Sequence, residues 1–505
     1  WPSKRDIKMA AKKFSGKKSF FFKKKEPIVK VPRKHMKWSS FQEDIFNEVL
    51  GGSGNILVQA CPGGGKTATI VEAIYRIPSG LSVMACAFNT RIKDALIARL
   101  PEHIQVNTIH AFGFAAIKAS FGKDVQLDND KISNITKALV GAEDDKVELR
   151  YLLAQAIGLC KGCLVNTPEE ISEILDEYEF DCGTKNDRTE FINNIIKGME
   201  FSAQQTKIID FNDMIWFVIR HNLTVPTFDW IVVDETQDLN RLQLEILMKA
   251  MKSNGRIMIV GDKYQAIYKF AGADSNSMDR IASRTGAKTL PLSVSYRCGK
   301  NIVKEAQALV PDIQYAEEAE EGVVESVDVD YMMKNAGPGD FILSRTNRPL
   351  IGLCFQFLKE GRRANIIGRD IGQNLVWVIK KSKAQSVQGF LEYLESWKNA
   401  ECERLIAKNR DCTHIMDKYE CLLTFCEGAF DLDEVKKNIE EMFSDKDDNT
   451  RIMLGTVHKA KGLERDRCWL LRNTFKTGKN QEETNITYVA ITRAKSFLYW
   501  VDGVK

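Results

Sequence analysis

From residue 38 onward, short apolar runs alternate with stretches of helical period. The runs are Ile56-Leu57-Val58, Val83-Met84-Ala85-Cys86-Ala87-Phe88, Trp230-Ile231-Val232-Val233, Ile257-Met258-Ile259-Val260, Phe341-Ile342-Leu343 and Phe497-Leu498-Tyr499-Trp500-Val501. A polar residue does not interrupt any of them, which is the pattern of strands buried on both faces of a parallel sheet. Each run gives way to a polar turn carrying Gly or Asp. The alternation predicts an α/β, doubly wound architecture of parallel sheets flanked by helices, with function at the C-terminal ends of the strands. Two stretches break the rhythm, residues 118–205 and 371–448. Both read as mainly helical and are expected to be insertions into the α/β core.

Composition narrows the class. The chain has 505 residues, enough for about three or four domains and for a core that needs no disulfide or metal staple. With 44% apolar and 28% charged residues, neither global disorder nor a membrane-embedded fold is expected. No apolar run approaches the ~18–20 residues of a membrane span. The chain starts at Trp1, and no signal peptide is visible. Twelve scattered cysteines suit a reducing, intracellular compartment, cytoplasm or nucleus. Cys160 and Cys163 form a lone C-x-x-C without the further ligands that a zinc or iron–sulfur site needs, so buried free thiols are expected.

The net charge of +4 is an average over two unlike parts. Residues 1–37 carry fourteen Lys or Arg against two acids, a net +12, and the remainder is −8. This basic arm, broken by Phe20, Phe21 and Phe22, lacks a helical or strand period and reads as a flexible polybasic segment. A solvated tail, a nucleic-acid-binding arm, a nuclear address and a docking peptide for a protein partner all remain open for it.

The chemistry concentrates in two places. Residues 60–67 read Ala60, Cys61, Pro62, Gly63, Gly64, Gly65, Lys66, Thr67, between a predicted strand and a helix that begins near Ala68. Glycines allow backbone N–H groups to close around phosphates, and the helix N-terminus adds positive potential. Lys66 would reach the β- and γ-phosphates of a nucleotide and Thr67 would hold Mg²⁺. Ala60 stands where the strict phosphate-loop pattern has Gly. The second place is Asp234-Glu235 at the end of the run 230–233. Asp234 is placed to hold Mg²⁺ and Glu235 to orient and deprotonate water. An acidic pair at a strand end is equally an ordinary solvated turn; the phosphate loop earlier in the chain gives this one its meaning.

With these two motifs in place, the rest of the series resembles the UvrD/Rep-type superfamily 1 DNA helicases, from residue 38 to the C-terminus. Residues 38–42, ending in Gln42, resemble the family's adenine-binding motif. Residues 87–90, with Phe88 and Asn89, and 107–112, with Thr108 and His110, resemble motifs on its DNA path. Residues 210–214 resemble the segment returning from the first insertion. Residues 260–268, with Gln265 and Tyr268, and the following Phe270 resemble a motif that senses the γ-phosphate and faces DNA; the family commonly has Trp at the last position. Residues 292–297, with Tyr296 and Arg297, 344–347, with Arg345 and Asn347, 455–464, with Thr456, His458 and Glu464, and 488–495, with Arg493, complete the order.

The resemblance implies two RecA-like domains. The first is expected over 38–117 and 206–290, interrupted by a helical insertion at 118–205. The second is expected over 291–370 and 449–505, interrupted by a reduced insertion at 371–448. It implies ATP and Mg²⁺ as cofactors. Lys66, Glu235, Gln265, Arg297 and Arg493 would be catalytic, Tyr296 would stack on the adenine and Glu464 would hold the ribose. Phe88, Asn89, Thr108, His110, Tyr268, Phe270, Arg345, Asn347, Thr456 and His458 would contact the strand, although the aromatics and histidines also suit core or capping roles. The implied activity is 3′→5′ movement on single-stranded DNA and opening of tailed duplexes, in repair, recombination or replication, by a monomer or weak oligomer without a membrane partner. The smaller second insertion leaves open a translocase that strips proteins from DNA. A non-enzymatic scaffold and an RNA substrate are further alternatives. The chain ends soon after Arg493, so the family's C-terminal tail is expected to be absent.

Overall fold

The computed structural model describes residues 37–503 except 89, 144–145, 179, 181–184, 268–276, 407–411 and 444–448. Residues 1–36 of the basic arm and the candidates Asn89, Tyr268 and Phe270 lie outside the described residues.

Two six-stranded sheets organise the chain. The first comprises β1 (Ile56–Ala60), β2 (Val83–Ala87), β3 (Gln105–Thr108), β4 (Phe228–Val233), β5 (Met251–Gly261) and β6 (Lys288–Leu292), in the order β3-β2-β4-β5-β1-β6. All of its pairings are parallel, with Ile56 opposite Met258, Cys86 opposite Val233 and Ala60 opposite Leu292. The second comprises β7 (Val323–Asp328), β8 (Phe341–Ser344), β9 (Ala364–Ile366), β10 (Ile452–Thr456), β11 (Arg465–Leu471) and β12 (Ala494–Asp502), in the order β7-β12-β11-β8-β10-β9. It too is parallel throughout. The α/β class expected from the apolar runs is therefore observed. Strands β2, β8 and β10 are buried along their whole length, because helices cover both faces; the polar side chains there, Ser344 and Thr456, stand at the C-terminal ends.

The insertions share cores with the sheets they interrupt. Between β3 and β4 run helices Ile109–Phe121, Lys131–Val140, Val147–Cys163, Pro168–Glu177 and Lys185–Gln204. Their Leu153, Ile157, Ile171 and Phe191 join one cluster with Ile231, Val233, Ile257 and Ile259 on one face of the first sheet. Helix Ser40–Gly51 and the helix after the phosphate loop cover the opposite face through Phe46, Ile70 and Ile74. Between β9 and β10 run helices Arg369–Ser382, Val387–Ile406, Thr413–Cys426 and Leu432–Met442. Phe390, Leu422, Phe425 and Val435 pack there with Ile342 and Leu454 of the second sheet. A further cluster spans the two halves and brings Cys61 and Ile267 of the first together with Cys298, Val457 and Tyr488 of the second. No described helix is long and apolar enough to cross a membrane.

Candidate active site and nucleic-acid face

The phosphate loop leaves β1 at its C-terminal end and runs into helix Lys66–Arg76. Gly65 caps that helix at φ 78° and Gly63 lies at φ 73°, in the left-handed region that glycine adopts without penalty. Space is as restrictive as conformation at Gly63. A Cβ there would sit 2.4 Å from Arg297 Cβ, so only glycine lets the loop approach the segment entering the second half of the molecule. Tyr296 N donates to Gly63 O at 3.0 Å, and Cys61 N donates to Leu292 O at 3.0 Å. Tyr296 itself is half exposed beside the loop. Gln42 is buried behind the loop: its Nε2 donates to Thr69 Oγ1 at 2.9 Å and its Oε1 accepts Ser39 N at 3.1 Å. Its amide thus closes the capping box of helix Ser40–Gly51 and ties that helix to the phosphate-loop helix.

Across from the loop, Asp234 and Glu235 follow the C-terminal end of β4. Glu235 is one of few non-glycine residues with positive φ, at 54°. Lys66 Nζ lies 3.2 Å from its Oε1 and 3.3 Å from its Oε2, and Gln237 Nε2 donates to Oε2 at 2.6 Å. Burial disfavours the Glu235 charge, but Lys66, Lys461 and the Gln237 bond outweigh it and bring its pKa to about 2. Burial and the neighbouring Glu235 push Asp234 up to about 7. Burial also raises Asp262, at the end of β5, to about 6, although Gln265 Nε2 donates to its Oδ2 at 2.8 Å. Burial alone would lower the Lys66 pKa; Glu235, Asp234 and Asp262 together raise it.

The second half contributes its side of this cleft. Arg493, 1% exposed, donates from Nη2 to Gln265 Oε1 at 3.3 Å, and from Nε to Val489 O and Nη1 to Leu463 O at 2.9 and 3.1 Å. Burial and then Arg297 lower its pKa to about 10. Arg297 donates from Nη1 to Thr492 O at 3.1 Å, and its Nε is 2.5 Å from Glu464 Oε2. Glu464 also pairs with Lys495 at 3.2 Å. Glu464 therefore holds the Arg297 guanidinium beside the loop. Lys66, Asp234, Glu235, Gln265, Arg297 and Arg493 converge on one cleft between the two sheets.

Two family models match the chain. The UvrD/REP helicase N-terminal domain matches residues 41–285, and the UvrD-like helicase C-terminal domain matches residues 379–501. Together they cover nearly three quarters of the chain. The chain belongs to the UvrD/Rep helicase family. Among its curated relatives, the F-box DNA helicase protein 1 of Schizosaccharomyces pombe is 24% identical, over 92% of this chain and 57% of the relative. The putative ATP-dependent DNA helicase YjcD of Bacillus subtilis is 29% identical over 60% of this chain and 46% of its own length. The ATP-dependent DNA helicase Rep of Escherichia coli is 24% identical over 51% and 41%. The chain spans about half the length of the curated relatives it matches.

The candidate DNA-facing residues of this UvrD/Rep-family chain lie on the same edge of each sheet, after the C-terminal ends of the strands. Phe88 follows β2 and is 38% exposed. Thr108 ends β3 and caps helix Ile109–Phe121 by accepting Ala111 N at 3.2 Å. His110 lies flat on Phe211, ring centroids 4.0 Å apart and planes at 20°. In the second half, Arg345 follows β8 and is held by Glu483 through contacts of 3.0 to 3.2 Å. Asn347 is exposed at the start of helix Arg348–Lys359. Thr456 ends β10, and His458 sits one turn on in the short helix Val457–Ala460.

Sequence reasoning missed several partners. Lys461 Nζ donates to Asp238 Oδ1 and Oδ2 at 2.8 and 2.7 Å and to Gln265 O at 2.7 Å, bridging the two halves. Asn485 Nδ2 donates to Ala266 O at 3.0 Å, also across the cleft. Phe211, in the connecting segment 210–214, has an exposed ring that its sequence context does not announce. Lys461 lies within 455–464 and Asp238 three residues after Glu235, but they are 223 positions apart, and no local pattern pairs them.

Proposed function

We propose that the chain is an ATP-dependent DNA helicase or translocase that moves 3′→5′ on single-stranded DNA. The observation carrying this reading is the reach of Arg493 from the second half to Gln265 of the first, in the cleft where Lys66 and Glu235 are paired. Phosphoryl transfer is stabilised by positive charge placed around the γ-phosphate and by a positioned water. Lys66 and Arg493 stand on opposite sides of such a site, and Arg297 is close by on Glu464. A nucleotide's phosphates compete for Lys66. Once Lys66 turns to them, Glu235 loses its principal counter-ion and is free to orient and accept a proton from water.

The donor set also suits a divalent cation. Thr67 and Asp234 would hold Mg²⁺, since Asp234 is buried beside a second carboxylate and its charge is disfavoured until a cation arrives. Bound there, the metal neutralises charge on the β- and γ-phosphates. Gln42 lies against the loop where an adenine would enter, Tyr296 offers an exposed ring, and Glu464 exchanges Arg297 for the ribose.

Support for DNA as the partner comes from the aromatic and polar groups at the strand ends, which suit base stacking and backbone contact without sequence reading. The test is unwinding of duplexes with a 3′ or a 5′ single-stranded tail, in DNA and in RNA, with ATP. Opening of the 3′-tailed DNA is expected. Preference for the 5′ tail overturns the polarity. ATP hydrolysis stimulated by DNA with protein displacement but no unwinding favours the translocase, and absence of DNA-stimulated hydrolysis overturns the enzyme reading.

A further inference from the structure

Away from the nucleotide cleft, the first insertion buries a charge cluster that the proposed reaction does not use. Asp213, fully buried at the start of helix Asp213–Arg220, receives Lys131 Nζ on Oδ2 at 2.6 Å and Lys161 Nζ on Oδ1 at 2.7 Å. Ser202 Oγ donates to Asp213 Oδ1 at 3.0 Å and accepts from Lys161 at 2.8 Å. Lys131 also donates to Ser202 O at 2.9 Å, and Lys161 reaches Asp210 Oδ2 at 3.4 Å. Two lysines face two aspartates. Lys131, Lys161 and Ser202 come from three different insertion helices, Lys131–Val140, Val147–Cys163 and Lys185–Gln204.

A buried ion cluster generally contributes no more stability than apolar packing of equal volume. What it adds is direction. Asp213 can meet both ammonium groups in only one placement, and it also accepts Asp210 N at 3.1 Å while its own N–H donates to Asp210 Oδ1 at 2.8 Å. These bonds close the turn 210–213. Its tip is Phe211, 54% exposed and stacked on His110. A cleft of about 140 Å³, lined by Ile132, Ala154, Ile157, Lys161, Asp210 and Phe211 among others, lies between this turn and the insertion helices. Ile209 and Met214, on either side of the turn, pack into the apolar core of the insertion, and the ions fix the turn between them.

We propose that Lys131, Lys161 and Asp213 are positioning residues for single-stranded nucleic acid: they hold the turn 210–213 so that Phe211 lies flat on His110 and presents its outer face to a base. This rests on the nucleic-acid reading above. The insertion thereby sets a contact on the strand through a turn that belongs to neither its helices nor the nucleotide site.

The test measures ATP hydrolysis by the full chain against oligo-dT concentration in the unmodified protein, Phe211→Ala, the charge-balanced pair Lys161→Met with Asp213→Asn, and Ser202→Ala. Ser202→Ala removes hydrogen bonds but no charge and decides the matter alone if the pair does not fold. Loss of one stacked base raises half-saturating DNA by about 5- to 150-fold, and this is expected for Phe211→Ala and for the pair. About 2- to 5-fold is expected for Ser202→Ala, one neutral hydrogen-bonding group. In both cluster variants, kcat at saturating DNA and the KM for ATP stay as in the unmodified protein. Quenching of a 2-aminopurine base in the strand falls in parallel. Combining the pair with Phe211→Ala adds no further loss, because both remove one contact. The proposal is overturned by unchanged half-saturation in the foldable cluster variants, or by losses that add in full to Phe211→Ala. An unmodified protein that DNA does not stimulate sinks the nucleic-acid reading together with it.

Discussion

Lys66 and Glu235 hold each other's charge in a partly buried setting, 3.2 Å apart, and this makes both sensitive to substitution. Lys66→Ala removes the cation facing the phosphates and should lower kcat for ATP hydrolysis by about 100- to 1,000-fold, the scale of losing one charge-stabilising donor. DNA affinity, read by fluorescence anisotropy, should stay near its original value, because the strand-facing residues lie at other strand ends. Hydrolysis at the original rate would show that the site is elsewhere. His110 and His458 carry a pH dependence of stability. Burial depresses both to about 4 from the ordinary 6.5, with Arg345 a lesser cause for His458. Between those values the unfolded chain binds more protons than the folded one. Their contribution is therefore complete above about pH 6.5 and is lost as pH falls toward 4, on the order of 1–3 kcal/mol for each. Urea midpoints at pH 7.5 and 5 should show the fall, and His458→Gln should make it shallower; an equal slope in that variant contradicts the assignment.

At the scale of elements, the strands and the phosphate loop were legible because their signals are contiguous. An unbroken run such as 230–233 means a strand covered on both faces, and a Gly-rich loop followed by Lys66 marks a strand–turn–helix whether its lysine faces a phosphate or solvent. What was not legible joins residues far apart in sequence: Lys461 with Asp238, Asn485 with Ala266, and Asp213 with Lys131 and Lys161. Each is a tertiary choice of partner among many charged and polar groups, and neither period nor spacing records it. Phe211 was missed because an aromatic in a connecting turn usually packs inward, whereas here the neighbouring turn bonds leave its ring outside on His110. The role of Gly63 likewise appears only in three dimensions. A methyl group there meets Arg297 Cβ at 2.4 Å and is strained at φ 73°. Gly63→Ala should therefore displace the loop from the second half and lower kcat by about 10-fold or more, while single-strand affinity holds. Full activity in that variant would mean that the loop and Arg297 separate without consequence.

For the whole molecule, the segment from Thr456 to Glu464 is the structural link between the two kinds of site. It starts at the C-terminal end of β10, on the edge carrying Arg345 and His458, and ends before β11 at the residue that holds Arg297. Midway, Lys461 is clamped to Asp238 and to the carbonyl of Gln265. The proposed strand contact at one end and the proposed nucleotide contact at the other would thus bear on one short stretch gripping both halves, the kind of element through which domain closure is coupled to a ligand. Lys461→Met leaves Asp238 buried without its counter-ion and should uncouple the two: basal hydrolysis persists, while the stimulation by DNA falls about 10-fold or more. Stimulation at the original level would assign the coupling to other contacts. The most direct test of the account is phosphate release from ATP with and without single-stranded DNA, in the unmodified protein and in Arg493→Ala. A cleft completed by both halves predicts strong stimulation by DNA in the first and its loss in the second. Equal rates with and without DNA, or an Arg493→Ala protein as active as its parent, would contradict it.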